Sequence, residues 1–188
     1  MNEHVVLVLA SGRGERFKAS GGGEGSKLQA LLGGIPVLRW TLRAVEESGL
    51  PFHVEDRGHA GMGDSIAAAV RATAQATGWL VLPADLPFIS PLALRNVAAA
   101  LGESRVVVPR FRGQAGHPVG FAAACRDALS ALAGPTGAAA IVQATPAHRI
   151  ATLDLDDPGI VMDIDTVQDL DRAEQLLQSG WRPAAPPR

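Results

Sequence analysis

Short apolar runs alternate with longer amphipathic stretches along this chain, and the two have different periods. His4 to Ala10 (HVVLVLA) is β-branched and apolar on both faces, as a strand buried inside a parallel sheet must be. Trp79 to Leu82 repeats that pattern. Phe52 to Glu55, Val106 to Val108, Val119 to Ala122, Arg149 to Leu155 and Ile160 to Ile164 read as further strands. Pro36 to Ser48 carries a helical stripe through Val37, Leu38, Leu42 and Val45, with Pro36 near the first helical position. Asp64 reads as the cap of a helix running to about Thr77, and Ser90-Pro91 opens another to about Leu101. Arg126 to Ala133 and Ala138 to Ala144 read as helices, and Val167 to Gln178 is a final amphipathic one. Thr166 precedes it, with Asp169 at the third helical position as in a capping box. Ser11 to Ser26 reads as a long loop, and the Pro-rich segment from Trp181 to Arg188 as a disordered or loosely docked tail.

Strands alternating with helices imply an α/β fold, a three-layer α/β/α sandwich around a mostly parallel, Rossmann-like sheet. At 188 residues, 1–178 fit one domain, with 179–188 as a tail. Composition narrows the class. Seventeen Lys and Arg oppose nineteen Asp and Glu, a net charge of -2. That balance argues against nucleic acid, whose partners carry a basic surplus and aromatic platforms. One Cys forms no internal disulfide, and Cys125 reads as a packing residue. No apolar run approaches a membrane span of about 18 residues. Met1 to Ala10 lacks the charged flank and length of a secretory signal. The expectation is a cytoplasmic protein with no membrane partner. Glycine is unevenly spread: eight of 21 fall within the first 34 residues.

In parallel α/β sheets ligands bind beyond the carboxyl ends of the strands, so chemistry is sought there. After the first strand comes Ser11-Gly12-Arg13-Gly14-Glu15-Arg16-Phe17, then Gly-rich sequence to Lys27. Such a loop is either merely flexible or brings backbone N–H groups and cations to phosphate oxygens. Phe17 occupies the third Gly position of a dinucleotide fingerprint, and Gly25-Ser26-Lys27-Leu28 lacks the order of a Walker A loop. Asp85, in Pro83-Ala84-Asp85-Leu86-Pro87, has the composition of a turn, yet its place after a buried strand suits a Mg²⁺ ligand. Asp163 and Asp165 are one strand period apart and point the same way if extended. Capping accounts for Thr166 and Asp169 but not for that pair, which a second metal ligand does. His117, between Gly116 and Pro118, reads equally as a ligand contact or a turn residue. Gly61-Met62-Gly63-Asp64-Ser65 opens a helix whose N–H groups and Ser65 fit an anion or base edge as well as plain capping.

Taken together these residues resemble a known family. Leu9-Ala10-Ser11-Gly12-x-Gly14-x-Arg16-Phe17, followed by Lys27, is similar to the signature of MobA-like nucleotidyltransferases. Pro83-Ala84-Asp85-Leu86-Pro87-Phe88 resembles their metal-binding Asp-x-Pro motif. Gly116-His117-Pro118-Val119-Gly120-Phe121 and Asp163-Ile164-Asp165-Thr166 resemble their third and fourth motifs and are most like those of molybdenum cofactor cytidylyltransferases. Gly14 replaces a usual Ser, Arg16 and Lys27 are spaced more widely, and Pro135 stands where a turn has Asp. The stretch between the Pro36 and Gly61 helices is also shorter than the family's.

The resemblance implies a nucleotidyltransferase sheet and Mg²⁺-dependent transfer of CMP from CTP to the phosphate of molybdopterin, with pyrophosphate released. By the same resemblance Arg16, Lys27 and Asp85 are catalytic, and Asp85 and Asp165 hold the metal. Leu9, Ala10, Ser11, Gly12, Arg13, Gly14, Lys27, Gly63, Ser65, Pro83 and Ala84 hold the nucleotide. Gly116, His117 and Pro118 face the acceptor, and a molybdenum hydroxylase is the implied recipient. Two readings compete: the same fold with GTP or another NTP and a different phosphorylated acceptor, or a non-catalytic nucleotide- or cofactor-binding protein.

Overall fold

The computed structural model describes residues 3–12, 14–23 and 25–181. Arg13 and the tail from 182 onward lie outside the described residues. Strand β1 (His4–Leu9) leads into α1 (Glu15–Ala19), a short hairpin of β2 (Leu31–Leu32) and β3 (Ile35–Pro36), and α2 (Val37–Ser48). Then follow β4 (Phe52–Glu55), α3 (Met62–Ala72), β5 (Gly78–Pro83), α4 (Pro91–Ala100), β6 (Val106–Phe111), β7 (Gln114–Ala115) and β8 (Val119–Ala122). The chain continues through α5 (Arg126–Ser130), α6 (Ala139–Ala144), β9 (Ile150–Asp154) and α7 (Val167–Gln178).

The main sheet has the order β4-β1-β5-β8-β6-β7, with β9 also on β6. The β4, β1 and β5 pairings are parallel, as is β6 with β9, while β8 runs antiparallel between β5 and β6. The central strands show why their runs are apolar on both faces. Val6, Val8, Leu80 and Leu82 pack with Ala44 and Val45 of α2 and Leu94 and Val97 of α4. Leu7, Trp79 and Val81 face the other way, onto Ile66 and Val70 of α3 and Leu129 of α5. Each such fully buried side chain contributes about 1.5–3 kcal/mol of transfer free energy. Helices thus cover both faces of a mostly parallel sheet, the three-layer arrangement expected. Cys125 is wholly buried in the second of these clusters.

Several local expectations change. Five residues of the Ser11–Ser26 loop form α1, started by Gly14 in the left-handed region (φ 64°) and anchored by buried Phe17. The helix opening α3 is capped from Gly61, and Asp64 sits inside its first turn. The Asp64 carboxylate accepts instead from Gly134 N at 3.0 Å. That helix ends at Ala72, not near Thr77. Ile160 to Ile164 is not a strand: Pro158–Val161 is a 3₁₀ turn and residues 162–165 then have no regular structure. Ile160 and Ile164 are buried under the helices rather than in the sheet, which explains the strand-like pattern. Trp181, at the head of the expected loose tail, is docked edge-on against Phe88 with ring centroids 4.7 Å apart.

Candidate active site

The carboxyl ends of β1 and β5 open onto a cleft of ≈ 530 Å³. Backbone ties hold its floor: Ala84 N donates to Leu9 O at 3.1 Å, and Thr41 Oγ1 to Ala84 O at 2.9 Å. Asp85 follows directly. Its carbonyl accepts from Ile164 N at 2.9 Å, which fixes the Asp163–Asp165 segment beside it.

Lys27 begins a 3₁₀ turn capped by the Ser26 hydroxyl. Its ammonium lies between two carboxylates, donating to Asp85 Oδ2 and, at 2.7 Å, to Asp165 Oδ1. Arg16 Nη1 reaches the other oxygen of Asp165 at 2.7 Å from a largely exposed position. The wide spacing of Arg16 and Lys27 is absorbed because the segment after α1 folds back over Phe17, where Gly22 N donates to Phe17 O at 3.0 Å. A side chain at Gly22 would strike the Phe17 ring.

The charges perturb one another. Burial pulls the Lys27 pKa down, but Asp85 and Asp165 outweigh it and hold the ammonium above the ordinary lysine value. For Asp165 burial pushes upward, and the hydrogen bonds from Lys27 and Asp163 with the Arg16 charge bring its pKa below the usual range. Among the described residues Asp163 has no ion-pair partner. Burial first, then its hydrogen bond to Asp165, pushes it up to about 6. Burial keeps His117 below the normal histidine value, against the pull of Asp85.

A hard cation fits this donor set. Among the described residues Asp85 Oδ1 is buried without a hydrogen-bond partner, which an oxygen-seeking divalent ion would satisfy. Among the described residues no three His, Cys, Asp or Glu form a metal cage. Mg²⁺ typically uses one or two carboxylates and completes its shell with substrate oxygens and water.

Of the residues expected at the site, Leu9, Ser11, Gly12, Arg16, Lys27, Ser65, Pro83, Ala84, Asp85, Gly116, His117 and Asp165 line this one cleft. Ser11 and Ser65 join their hydroxyls at 2.5 Å, tying the Gly-rich loop to α3. Gly63 is elsewhere: its N–H is taken by Gly134 O at 2.9 Å, and it packs under the 133–136 backbone. Ala10, Gly14 and Pro118 support the wall from behind. Ala10 N donates to Glu55 O at 2.9 Å, Gly14 lies against the Lys27 stem, and the cis His117-Pro118 bond turns the chain into β8. His117 N donates to Ile160 O at 2.9 Å. Sequence reasoning missed Asp157, whose buried carboxylate accepts from Ser90 N, Ser90 Oγ and Gly159 N and holds the 157–161 turn that supports His117. It also missed His59, Met62 and Gln114 as lining residues.

A Gly-rich loop carrying two cations faces Asp85, just past the end of a parallel strand, and Asp165, on the segment after the 3₁₀ turn, an arrangement that suits a nucleotidyltransferase. Residues 41–150 match the model of the MobA-like NTP transferase domain, and the chain belongs to that family. Purine catabolism protein PucB of Bacillus subtilis (strain 168) is 29% identical over 128 residues. The match covers 67% of this chain but only 62% of that protein, so the chain spans less than two thirds of its relative. A nucleotidyl transferase from Methanothermobacter superposes with TM-score 0.77 at 22% identity, over 96% of this chain and all of that one. Rv0371c from Mycobacterium tuberculosis H37Rv, in complex with manganese, superposes with TM-score 0.72 at 22% identity, over 93% and 98% of the two chains. These two likenesses are of fold. Among the described residues no helix is long and apolar enough to cross a membrane.

Proposed function

We propose that this chain transfers CMP from CTP to the phosphate of molybdopterin and releases pyrophosphate, with residues 1–178 as one nucleotidyltransferase domain in the cytoplasm. The observation that carries the reading is the placement of Lys27 between Asp85 and Asp165, with one buried Asp85 oxygen unpartnered. The His117 element and the Asp163-Ile164-Asp165-Thr166 run, most like the cytidylyl branch, favour CTP and molybdopterin. The manganese bound by a fold relative supports a divalent cation here, which we assign as Mg²⁺.

The residues divide the work. Leu9, Ser11, Gly12 and Ser65 receive the nucleotide, and Arg16 and Lys27 neutralise its phosphates. As the bond to pyrophosphate breaks, those two cations meet the charge that grows on the leaving oxygens. Gly116 and His117 line the opposite wall, where the acceptor phosphate enters. That phosphate arrives ionised, so no side chain has to act as nucleophile or base. Asp85 and Asp165 would hold Mg²⁺, which would supply Lewis-acid polarisation of the phosphoryl oxygens. A molybdenum hydroxylase receives the product.

Pyrophosphate release with each of the four NTPs, with and without molybdopterin and Mg²⁺, tests this reading. The expected result is CTP-dependent release that requires molybdopterin. Asp85→Asn should cut that rate by about 10²–10³ or more, as loss of an electrostatic stabiliser does, while the melting transition stays cooperative. Wild-type-like turnover in Asp85→Asn refutes the metal assignment. Release that needs another phosphorylated acceptor moves the substrate and keeps the class.

A further inference from the structure

One wall of the cleft is explained by none of the motifs. After α2 the chain reaches α3 through the single strand β4 and residues 56–61. Glu55, the last residue of β4, pairs in register with Leu9 of β1, so its side chain lies at the sheet edge beside the Gly-rich loop. It is 3% exposed. One carboxylate oxygen accepts from His59 Nε2 at 3.0 Å, and the other faces His53 Nε2 at 3.4 Å. Burial alone would raise Glu55, but the hydrogen bonds from His59 and His53 hold its pKa below the usual range. An ionised carboxylate only accepts, so His59 donates to it from Nε2, and in that Nε2–H tautomer Nδ1 is an acceptor. His59 lines the same cleft as Ser11 and Ser65. Among the described residues Nδ1 has no hydrogen-bond partner. Met62, half exposed, and Leu9 line the same wall and offer apolar contact to a ring face.

We propose that His59 determines base specificity, its Nδ1 accepting a hydrogen bond from the exocyclic amino group of the nucleobase, with buried Glu55 as the residue that positions the ring. Cytosine presents its N4 amine to this acceptor. Uracil presents O4, a second acceptor, and two lone pairs then oppose each other. The inference rests on the nucleotidyltransferase reading of the same cleft and adds the choice of base. It also gives the shortened stretch before α3 a function: a strand and a short loop deliver both the reader and its support.

Calorimetric affinities of the full chain for CTP, UTP and inorganic tripolyphosphate, with Mg²⁺ present, test it. Wild type should bind CTP about tenfold more tightly than UTP, the worth of one good hydrogen bond. His59→Ala should bring the two nucleotides to near-equal affinity, chiefly by weakening CTP, with tripolyphosphate binding unchanged. Glu55→Gln should narrow the same ratio in part, again without changing tripolyphosphate affinity. An unchanged CTP-to-UTP ratio in His59→Ala, or equal weakening of both nucleotides, overturns the assignment and leaves the nucleotidyltransferase reading standing. A wild-type chain that binds tripolyphosphate but discriminates no base also overturns it. Failure of the wild type to bind any nucleoside triphosphate overturns both.

Discussion

Replacing Lys27 by Met removes the charge at the centre of the cleft and keeps most of the volume. Lys27, Asp85 and Asp165 are each 12–14% exposed at the side chain, so solvent screens them weakly. A pair at 2.7 Å has a Coulomb energy of about 6 kcal/mol at an effective dielectric of 20, before the cost of desolvating the ammonium. Breaking a buried pair from one side typically costs about 3–5 kcal/mol, because the remaining charge is left without a partner. Asp165 keeps Arg16, which reduces the loss. Among the described residues Asp85 keeps no hydrogen-bonded or ion-paired side chain, since its other oxygen is already unpartnered. The net destabilisation at pH 7 should be about 2–3 kcal/mol, or roughly 5–10 °C in Tm for a chain of this size. The double variant Lys27→Met/Asp85→Asn should recover at least half of that, because it removes the stranded charge. Differential scanning fluorimetry and urea titration of the wild type and the single and double variants check this. Lys27→Met as stable as wild type, or a double variant no more stable than the single, would falsify the view that Lys27 compensates these carboxylates in the folded state.

Two further outcomes follow from the same geometry. Asp157→Ala strands Ser90 N and Gly159 N inside the protein and should cost about 2–4 kcal/mol; a Tm within about 2 °C of wild type, less than about 1 kcal/mol for a chain of this size, would count against the role given to that carboxylate. Asp163 titrates in the folded protein near 6, above its ordinary 3.8, so the folded state holds the extra proton between those values and stability falls as pH rises through that window. Asp163→Asn should flatten the fall in Tm between about pH 4 and 6, and an identical slope in both proteins would show that Asp163 is not its source.

Where the sequence pattern reflects local chemistry, the structure follows it closely. Phe52–Glu55, Val119–Ala122 and Val167–Gln178 form as read. Ser90 caps α4, and Thr166 with Asp169 closes a full capping box. The strand-end logic placed Asp85 at the cleft because β5 runs parallel to β1, whereas Asp165 reaches it from a non-strand segment held by the Ile164 N to Asp85 O hydrogen bond and Lys27 from a 3₁₀ turn. The misses have tertiary causes. Five residues among glycines form α1 because Phe17 finds a pocket beside Phe88 and Ile164, which local propensity does not reveal. Ile160 to Ile164 imitates a strand because burial alone sets its pattern. Asp64 had the right residue type for a cap, but Gly134 N competes for its carboxylate. Glu55 and His59 carry no motif spacing; the register of β4 against β1 sets Glu55 beside Leu9, and only the folded chain brings His59 into the cleft lining.

The pairing of Lys27 with Asp165 spans 138 positions. Asp165 emerges from the ribosome after every strand of the main sheet, so a nascent chain can assemble the Gly-rich loop and Asp85 well before their last partner exists. Until the segment following β9 docks through Ile164 onto Asp85, Lys27 has one carboxylate and Arg16 has none. A chain lacking the segment after β9 can therefore hold every strand of its sheet yet lack a finished site, so completion of the site is coupled to that segment rather than to formation of the core.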